Sequence, residues 1–530
     1  MGLVPTKSSY VLGIDLGTST SIVSVYTKGK GKVLTIDGKD YMPSAVSFVD
    51  KDTKLVGEQA KSRAIIAPEN TVTSIKRHMG DSEYKVKIFD EEYTPEQISG
   101  DILSKLIEAA MNQQDFDPNG DLKYAVICVP ANFTDNAKQA TKKAAEIAGL
   151  EVLYLLEEPV AASIMYGFNS NKDQNILVYD LGGGTFDVCI LNAKTTAGGE
   201  YKYEILAKEG IPTLGGDDFD QRLMEHINKK FLEENGIDLL DLQKDQGINR
   251  KKLKQAQQKL KEVAEKAKME LSEMDSTSVV VPNIVQNEEG ELLHLDTEVT
   301  REEFEGLIED LVNKTEETVK LAIENGKLTI DDIDRIILVG GSTLVPIVKR
   351  KIKELFGKEP YSNFNPRTIV SEGAAIFGAT LAVPDDAKDN GEAKPEGEIE
   401  LTQQVTHNLG IMIAGMKFSK IIGKGTEIPP EASVIEEKEY TTQKDNQTEM
   451  SIYVYQCSED IEFINQVDDE GKAKAVFIGE FKLKDIPAAL KGVELINVRF
   501  EVNAENVIKV SATSKSTGRS EEITLNIERE

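Results

Sequence analysis

Apolar and polar positions follow two different patterns along the chain. From residue 10 to about residue 383, short apolar runs alternate with amphipathic stretches of helical spacing, as in 124–129 followed by 136–148. This succession predicts an α/β fold. After about residue 401 helical spacing is scarce, and short strand-like runs alternate with turn residues, which predicts a β sandwich. The runs are 451–455, 475–478, 498–502 and 507–510.

The α/β pattern breaks at Pro384. The segment that follows, 385–398, is rich in charged residues, Gly and Pro and offers almost no apolar side chains to bury. We therefore expect three parts: an α/β domain over residues 1–384, an acidic linker over 385–404 and a β-sandwich domain over 405–530.

One internal repeat lies within the α/β part. Residues 12–18 read LGIDLGT and residues 177–183 read LVYDLGG, so both carry an apolar run, an aspartate, a leucine and a glycine in the same order. Small hydroxyl residues and a second apolar run follow each segment. A shared Asp-Leu-Gly can arise by chance, but the matching flanks favour two similar hairpins in duplicated lobes that face one cleft.

Four turns of small residues occur in the same part. Glycine lets backbone amides approach a phosphate closely because no side chain intervenes, and neighbouring hydroxyl groups add donors. A single turn of this kind is more often an ordinary hairpin, but four in one α/β region favour a phosphate site. The turns are Gly17-Thr18-Ser19-Thr20, Gly182-Gly183-Gly184-Thr185, Leu214-Gly215-Gly216 and Gly340-Gly341-Ser342.

Three aspartates accompany these turns. Asp15, Asp180 and Asp187 are predicted to project from neighbouring strands. A cluster of carboxylates is costly unless a hard cation neutralises it, so we expect Mg²⁺, held partly through water.

Two further segments extend the predicted site. The loop 340–346 lies between a strand and the helical run 347–356, which favours an anion or a sugar oxygen there, and it lacks the Gly-Lys-Ser/Thr of a Walker P-loop. Glu265, Lys268 and Ser272 share one flank of a helix predicted around 249–275, although an ordinary solvated face explains the same spacing. The buried stripe of this helix is predicted to be Leu253, Ala256, Leu260, Ala264, Ala267 and Leu271.

Charge and composition indicate which classes of partner and which cellular compartment to expect. The 62 basic and 91 acidic residues give a net charge of -29, which repels nucleic acid and anionic membranes and also keeps a chain soluble and monomeric. Cys128, Cys189 and Cys457 each stand alone in an apolar run, as expected of buried thiols in a reducing compartment. No apolar stretch reaches the length of a membrane span, so we expect a cytoplasmic protein.

Eight segments, taken in order, resemble the DnaK-type heat-shock protein 70 family, and the match runs nearly end to end. They are GIDLGTSTS at 13–21, NTVTSIKRHMG at 70–80, VPANFTDNAKQATKKAAEIAGLEV at 129–152, EEPVAASIMYG at 157–167, VYDLGGGTFDV at 178–188, LGGDDFD at 214–220, AEKAKMELS at 264–272 and LVGGSTLVP at 338–346. The resemblance implies an actin-like (ribonuclease-H-like), two-lobed ATPase domain followed by a β-sandwich substrate-binding domain. Slow hydrolysis of ATP to ADP would convert weak, fast binding of extended polypeptides into tight, slow binding.

The resemblance also implies a role for each matching residue. Lys76 would orient the attacking water and stabilise charge on the terminal phosphate, and Glu158 would place Mg²⁺ and that water. The implied catalytic residues are Lys76, Glu158, Asp187, Thr185 and Asp15. The water molecules bound to Mg²⁺ would be held by Asp15, Asp180, Asp187 and Glu158. Phosphates would be held by Gly17, Thr18, Ser19, Gly182, Gly183, Gly184, Thr185, Gly215 and Gly216, and the adenosine by Glu265, Lys268, Ser272, Gly340, Gly341 and Ser342. ATP, ADP and Mg²⁺ are the implied cofactors, with K⁺ as a further candidate.

The C-terminal match rests on residues 409–429, 445–460 and 506–518. It implies that an extended client is bound through its backbone and one anchoring pocket, although the same apolar residues would serve as a sandwich core. The pocket residues are Ile411, Ile413, Tyr440, Met450 and Ile452, with Ala414 and Gln443 over the client backbone. The chain stops about where the last strand ends, so no helical lid is expected and client exchange should be fast. A J-domain co-chaperone and a nucleotide exchange factor are the other implied partners.

Several positions depart from the family pattern. Tyr154 and Glu157 stand where the family usually has arginine and asparagine, near the surface for linker and J-domain docking, which disfavours recognition of a standard J-domain. The linker at 398–404 is less apolar than the family's, which predicts weak coupling between the domains.

Around the predicted adenine site, Met269 and Leu344 replace residues that are arginine in many members, and Arg367 replaces an acid. Apolar walls without a cation–π contact to the base predict a lower affinity for nucleotide.

Two other functions compete with an ATP-dependent chaperone. A sugar or carboxylate kinase would use the same cleft, but it would not explain the β domain. A regulatory scaffold or co-chaperone with little turnover is favoured by Tyr154, the polar linker and the missing lid.

Overall fold

The computed structural model describes residues 10–113, 122–131, 133–167, 173–195, 201–244, 246–381, 394–395, 399–405, 407–428, 433–457, 459–467, 473–503 and 507–526. The described residues form two compact units, the first from 10–201 and 206–399 and the second from 202–205 and 400–526. The division falls inside the predicted linker, of which 385–393 and 396–398 lie outside the described residues. The three domain bounds stay a prediction.

Lobe I comprises residues 10–167 of the first unit. Its strands are β1 Val11–Leu16, β2 Thr20–Thr27, β3 Lys30–Val33, β4 Met42–Pro43, β5 Ala45–Phe48, β6 Lys54–Val56, β7 Thr71–Thr73, β8 Val86–Ile88, β9 Glu91–Tyr93, β10 Tyr124–Val129 and β11 Glu151–Glu157. Its helices are α1 Glu58–Arg63, α2 Pro95–Met111, α3 Asp135–Ile147 and α4 Glu158–Gly167. The main sheet has the order β11-β10-β1-β2-β3, with β4 paired to β2. Leu12 and Ile14 of β1 are fully buried in its core.

Lobe II comprises residues 173–368, followed by the last helix of the unit. Its strands are β12 Gln174–Leu181, β13 Phe186–Thr195, β14 Tyr201–Ile211, β15 Ser276–Gln286, β16 Leu292–Thr300 and β17 Arg335–Val339. The helices are α5 Gly216–Asn235, α6 Arg250–Glu273, α7 Arg301–Asn325, α8 Pro346–Phe356 and α9 Ile369–Thr380. Strands β17, β12, β13 and β14 are neighbours in that order, and α9 returns to pack on β1 and β2.

Each lobe contains one of the predicted hairpins. In lobe I, β1 is antiparallel to β2, with Asp15 opposite Ile22, and parallel to β10. In lobe II, β12 is antiparallel to β13, with Asp180 opposite Asp187, and parallel to β17. The duplicated topology is therefore confirmed. The prediction of three aspartates on neighbouring strands is wrong for Asp15, because it belongs to the other sheet and meets the pair only where the lobes face each other.

Helix α6 confirms the predicted stripe, since all six of its apolar residues are buried. The helix begins after Asn249, whose side chain accepts a hydrogen bond from Lys251 N and so satisfies a free amide of the first turn. With the stripe buried in lobe II, the flank that carries Glu265, Lys268 and Ser272 is directed to the cleft.

The second unit is an all-β sandwich with a single core. Its strands are β18 Ile399–Gln404, β19 Asn408–Ile413, β20 Lys417–Ile422, β21 Glu427–Ile428, β22 Val434–Thr441, β23 Met450–Cys457, β24 Ala475–Leu483, β25 Leu495–Val502, β26 Val507–Ser514 and β27 Ser520–Asn526. One sheet has the order β20-β19-β23-β24 and the other β22-β25-β26-β27. All four predicted strand runs lie in β23 to β26, where alternate residues such as Val498 and Phe500 are fully buried.

Two smaller predictions concern thiols and membranes. Cys128, Cys189 and Cys457 are buried free thiols. Within the described residues, no helix is long and apolar enough to cross a membrane.

Candidate active site

A cleft of about 580 Å³ opens where the turns of the two hairpins face each other. The predicted residues that line it are Asp15, Gly17, Thr18, Ser19, Lys76, Glu158, Asp180, Gly182, Gly183, Thr185, Gly216, Glu265, Lys268, Ser272, Gly340, Gly341 and Ser342. Three others adjoin lining residues: Gly184 follows Gly183, Gly215 precedes Gly216, and Asp187 is paired with Asp180. The fold thus gathers the predicted nucleotide-binding and catalytic residues at one place.

Lys76 is positioned by a short 3-10 helix, Ile75–His78, that follows β7. The preceding residue, Ser74, has a positive φ of 55°, which is uncommon for serine. Its hydroxyl donates a hydrogen bond to Asp217 of lobe II at 3.0 Å. Lys76 Nζ donates to Glu158 Oε1 at 2.7 Å, and both side chains are buried. Because Glu158 is the first residue of α4, the pair lies where β11 turns into that helix.

Burial and charge act in opposite directions on this group. Burial lowers the pKa of the Lys76 ammonium, but Glu158 and Asp15 outweigh it, so the pKa lies above its ordinary value and the amino group stays charged. Burial raises the pKa of Asp15 to about 7, with a further contribution from Glu158. Burial also raises the pKa of Asp180 well above its ordinary range, and Glu158 and Asp187 add to that rise.

Such crowded carboxylates fit a hard divalent cation, which would relieve their mutual repulsion. Among the described residues, however, no three Asp, Glu, His or Cys side chains are close enough together to hold a metal ion directly.

Glycine is required where the turns meet. A Cβ atom on Gly183 would lie 1.9 Å from Ser19 Oγ, and one on Gly215 would lie 2.6 Å from the backbone of Gly183. Gly216 N donates to Gly182 O at 2.9 Å, which sets the start of α5 against the second hairpin turn. Side chains are therefore excluded from the meeting point of the turns, as a close approach of backbone to phosphate requires.

The opposite wall is formed by α6. Glu265 accepts hydrogen bonds from Lys61 Nζ of α1 at 2.6 and 2.8 Å, which ties lobe I to lobe II across the cleft mouth. Lys268 Nζ lies 2.9 Å from Asp220 of α5, a carboxyl whose pKa burial raises to about 6 while Lys268 lowers it. This flank is therefore not an ordinary solvated face, because its charges pair with other elements.

Comparison with known proteins identifies the family. A family model described as Hsp70 protein matches residues 11–530. The chain is 42% identical over 523 residues to the "Chaperone protein DnaK" of Thermotoga petrophila, covering 98% of this chain and 80% of that protein. The same figures hold for the proteins of that name from Thermotoga maritima and Thermotoga neapolitana.

The chain belongs to the Hsp70 family. It is thus an ATP-dependent molecular chaperone and an ATPase, with an actin-like domain followed by a β sandwich. Proteins of this family bind nucleotide, client polypeptides and co-chaperones.

Three residues that depart from the Hsp70 pattern line the same cleft. Met269 and Leu344 are 44% and 45% exposed there. Arg367 lines it as well, and its guanidinium carbon lies 5.4 Å from the centroid of the Tyr41 ring. The three departures predicted around the adenine, Met269, Leu344 and Arg367, are therefore all located at this cleft.

The two other departures lie inside the Hsp70 ATPase domain. Tyr154 packs edge-on against Phe377 of α9, with ring centroids 5.1 Å apart. Glu157 is only 4% exposed, and its Oε1 lies 3.0 Å from Lys208 Nζ and 3.9 Å from Lys138 Nζ. Because Glu157 ends β11 of lobe I and Lys208 belongs to β14 of lobe II, this ion group joins the lobes, and Glu157 is not a surface contact.

The predicted client-binding residues of this Hsp70 chain separate into two groups. Ile411 and Ile452 are fully part of the sandwich core, 3% and 2% exposed. Ile413, Tyr440 and Met450 are partly buried against that core, and the Tyr440 hydroxyl lies 2.9 Å from Ser419 Oγ. Ala414 and Gln443 are exposed. The last five thus keep exposed surface, whereas Ile411 and Ile452 pack in the core, and client binding by all seven stays a prediction.

Sequence reasoning missed several residues of the Hsp70 cleft. Lys61 and Asp220 pair with predicted site residues, and Tyr41 packs against Arg367. Lys61 is 204 positions from Glu265, so no local pattern could reveal the pair. Only Asp220 carried a signal, since it lies in the matched segment 214–220.

Proposed function

We propose that the cleft binds ATP with Mg²⁺ and that hydrolysis of the terminal phosphate controls how tightly the β sandwich holds an extended, apolar polypeptide. One observation carries the proposal: the buried Lys76–Glu158 pair lies beside Asp15 and Asp180 where the glycine turns of both hairpins meet. A charged amine, carboxylates and close-packed glycines at one point are what phosphoryl transfer to water needs.

The ammonium of Lys76 orients the attacking water and stabilises negative charge that develops on the terminal phosphate. Glu158 holds that ammonium in place through the 2.7 Å hydrogen bond. The hydroxyls of Thr18, Ser19 and Thr185 and the backbone amides of the glycine turns hold the phosphates.

Asp15, Asp180, Asp187 and Glu158 would hold Mg²⁺ through its water molecules, with K⁺ as a candidate second ion. Bound Mg²⁺ supplies positive charge that neutralises the phosphate oxygens. Burial, together with neighbouring carboxylates, raises the pKa values of Asp15 and Asp180, and this cost of ionisation supports the assignment. The adenosine would be bound by the flank of α6 that carries Glu265, Lys268 and Ser272 and by the turn 340–342. The apolar side chains of Met269 and Leu344 lie next to this site.

For the sandwich, we propose that Ile411, Ile413, Tyr440, Met450 and Ile452 line a pocket for one apolar side chain of the client, and that Ala414 and Gln443 contact its backbone. A J-domain protein and a nucleotide exchange factor are the proposed co-chaperones, and the cytoplasm is the proposed location. Neither nucleic acid nor a membrane is a proposed partner, and we expect a monomer.

Single-turnover hydrolysis of ATP tests the proposal. Lys76→Ala should retain ATP binding but release phosphate roughly 10²- to 10³-fold more slowly, because a preorganised charge is lost. Lys105→Ala is the matched control, since Lys105 pairs with Glu108 on the surface of α2.

Equal rates for Lys76→Ala and the control would contradict the assigned role of Lys76. Tight binding of ATP by the wild type without release of phosphate would instead favour the nucleotide-binding scaffold.

A further inference from the structure

The cations of the cleft are matched to carboxylates, with one exception. In the described part of the chain, six lysine and arginine side chains line the cleft: Lys39, Lys61, Lys76, Lys266, Lys268 and Arg367. Each of the five lysines has an amino group within 3.4 Å of a carboxylate oxygen. No carboxylate among the described residues forms an ion pair with Arg367. Among the described cations of this cleft, the Arg367 guanidinium is therefore the one whose charge is available to an external anion.

Arg367 is held in position from two sides. Gly340 N donates to the carbonyl oxygen of the preceding Pro366 at 2.9 Å, which fixes the backbone beside the turn 340–342. The guanidinium carbon lies 5.4 Å from the centroid of the Tyr41 ring, close enough for a cation–π contact. This contact restricts the side chain, and within the described parts of the chain no residue accepts a hydrogen bond from its guanidinium N–H groups, which can therefore bind a ligand.

The position of Arg367 indicates which part of a nucleotide it meets. Its Nε lies 3.5 Å from the point where a Cβ atom on Gly341 would be. The next residue, Ser342, donates to Gly182 O of the second hairpin turn at 2.9 Å. The guanidinium is therefore next to a turn that touches the phosphate-binding glycines, and the same turn continues to Leu344, beside the predicted base site.

We propose that Arg367, held by Tyr41, binds the phosphate nearest the ribose of the nucleotide. Arg367 is then a specificity-determining residue that favours nucleotides over nucleosides, in place of the acid that the family pattern has there. This inference depends on the proposed function, because it requires that the nucleotide occupy the cleft.

Equilibrium binding of ATP, ADP, AMP and adenosine to the full chain tests the inference. Arg367→Gln should weaken ATP, ADP and AMP by a similar factor, roughly 10-fold, and leave adenosine unchanged, because all three nucleotides share that phosphate. Tyr41→Leu should weaken the same three by about 3-fold. Arg367→Lys should restore part of the loss, since it keeps the charge without the planar fork.

The matched control is Lys266→Gln, which removes a positive charge from the cleft rim but leaves Arg367 intact. Its effect on each ligand should stay below about 2-fold, since Lys266 is largely exposed and pairs with Glu270 on its own helix. Unchanged binding of all three nucleotides by Arg367→Gln would overturn the inference, and so would an equal loss for adenosine. Failure of the wild type to bind ATP at all would instead overturn the proposed function.

Discussion

Individual side chains carry charge into parts of this protein from which water is largely excluded. The ion group around Glu157 is one example, because both its carboxylate and the Lys208 ammonium are mostly buried. A buried ion pair adds little net stability, but removal of one partner leaves an uncompensated charge. Glu157 also directly precedes Glu158, so a local loss of structure at Glu157 would displace the proposed catalytic pair of Lys76 and Glu158.

The first prediction concerns this ion group. Lys208→Met should destabilise the nucleotide-free chain by about 3 kcal/mol, because the buried Glu157 carboxylate loses a lysine whose Nζ lies 3.0 Å from its Oε1. Adding Glu157→Gln should recover part of that loss. Urea unfolding followed by circular dichroism measures both effects.

Lys349→Met is the control for the Lys208 variant, since Lys349 and Glu359 form an exposed surface pair. Its cost should be below about 1 kcal/mol. Equal losses in the free energy of unfolding for Lys208→Met and Lys349→Met would show that the buried ion group matters no more to stability than an exposed surface pair.

Helix termini provide the clearest local energetics at the scale of elements. Helix α7 of lobe II begins with a reciprocal capping box, in which Thr300 Oγ1 accepts from Glu303 N at 3.1 Å and Glu303 Oε2 accepts from Thr300 N at 2.8 Å. The bond from Thr300 N is the main reason that the pKa of Glu303 falls to about 2, and Lys230 adds to the effect.

A pH dependence follows from this cap. Because the folded-state pKa is below the ordinary value of 4.5, the ionised carboxylate stabilises the helix start above about pH 4.5, and this contribution is lost as the pH falls towards 2. Glu303 is 39% exposed, so solvent screening limits the effect to about 1 kcal/mol. Glu303→Gln should therefore speed hydrogen exchange of the first α7 amides at pH 6, with the difference shrinking below pH 4.5.

The control for the cap is Glu302→Gln, an exposed neighbour in the same turn. It should change the exchange rates much less. A difference between Glu303→Gln and the wild type that grows as the pH falls would contradict the assignment.

At the scale of the whole molecule, charged and polar side chains join the two lobes of the ATPase domain at several points. Lys61 of α1 and Glu265 of α6 join them at the mouth of the cleft with Nζ–Oε2 at 2.6 Å. Because this pair ties the lobes together across the cleft mouth, we expect it to slow the release of a bound nucleotide.

Lys61→Ala should raise the dissociation rate of bound ADP by about 2- to 5-fold, the effect expected for a partly exposed ion pair. Stopped-flow displacement of a fluorescent ADP measures the rate. Lys266→Ala removes an ion pair within α6 and should leave the rate unchanged. An unchanged rate in Lys61→Ala would show that the pair does not limit opening.

Much of the fold could be predicted because it depends on neighbours along the chain. The period of two in β23 to β26, the apolar stripe of α6 and the repeated Asp-Leu-Gly hairpins are local patterns, and the structure confirms them. The resemblance to Hsp70 proteins supplied the role of Lys76, which no composition or spacing distinguishes from a surface lysine.

The sequence left other points open because apolar and charged residues serve several purposes. Ile411 and Ile452 are predicted as pocket residues and are buried in the sandwich core, and because packing and client binding both require apolar side chains, their residue type does not separate the two roles. Glu157 was expected near a docking surface, and only the folded structure places Lys208 of β14 and Lys138 of α3 beside it.

Strand period, helix amphipathicity and turn chemistry are properties of contiguous residues, so the chain alone specified its elements, its two classes of domain and its glycine turns. The pairing of Lys61 with Glu265 and of Arg367 with Tyr41 arose only when the lobes packed against each other, and Lys76 met Glu158 only when lobe I folded. The physical reason is that a charge takes its partner, its burial and its pKa from whatever lies nearby in space, and that neighbour is here often a hundred or more residues away.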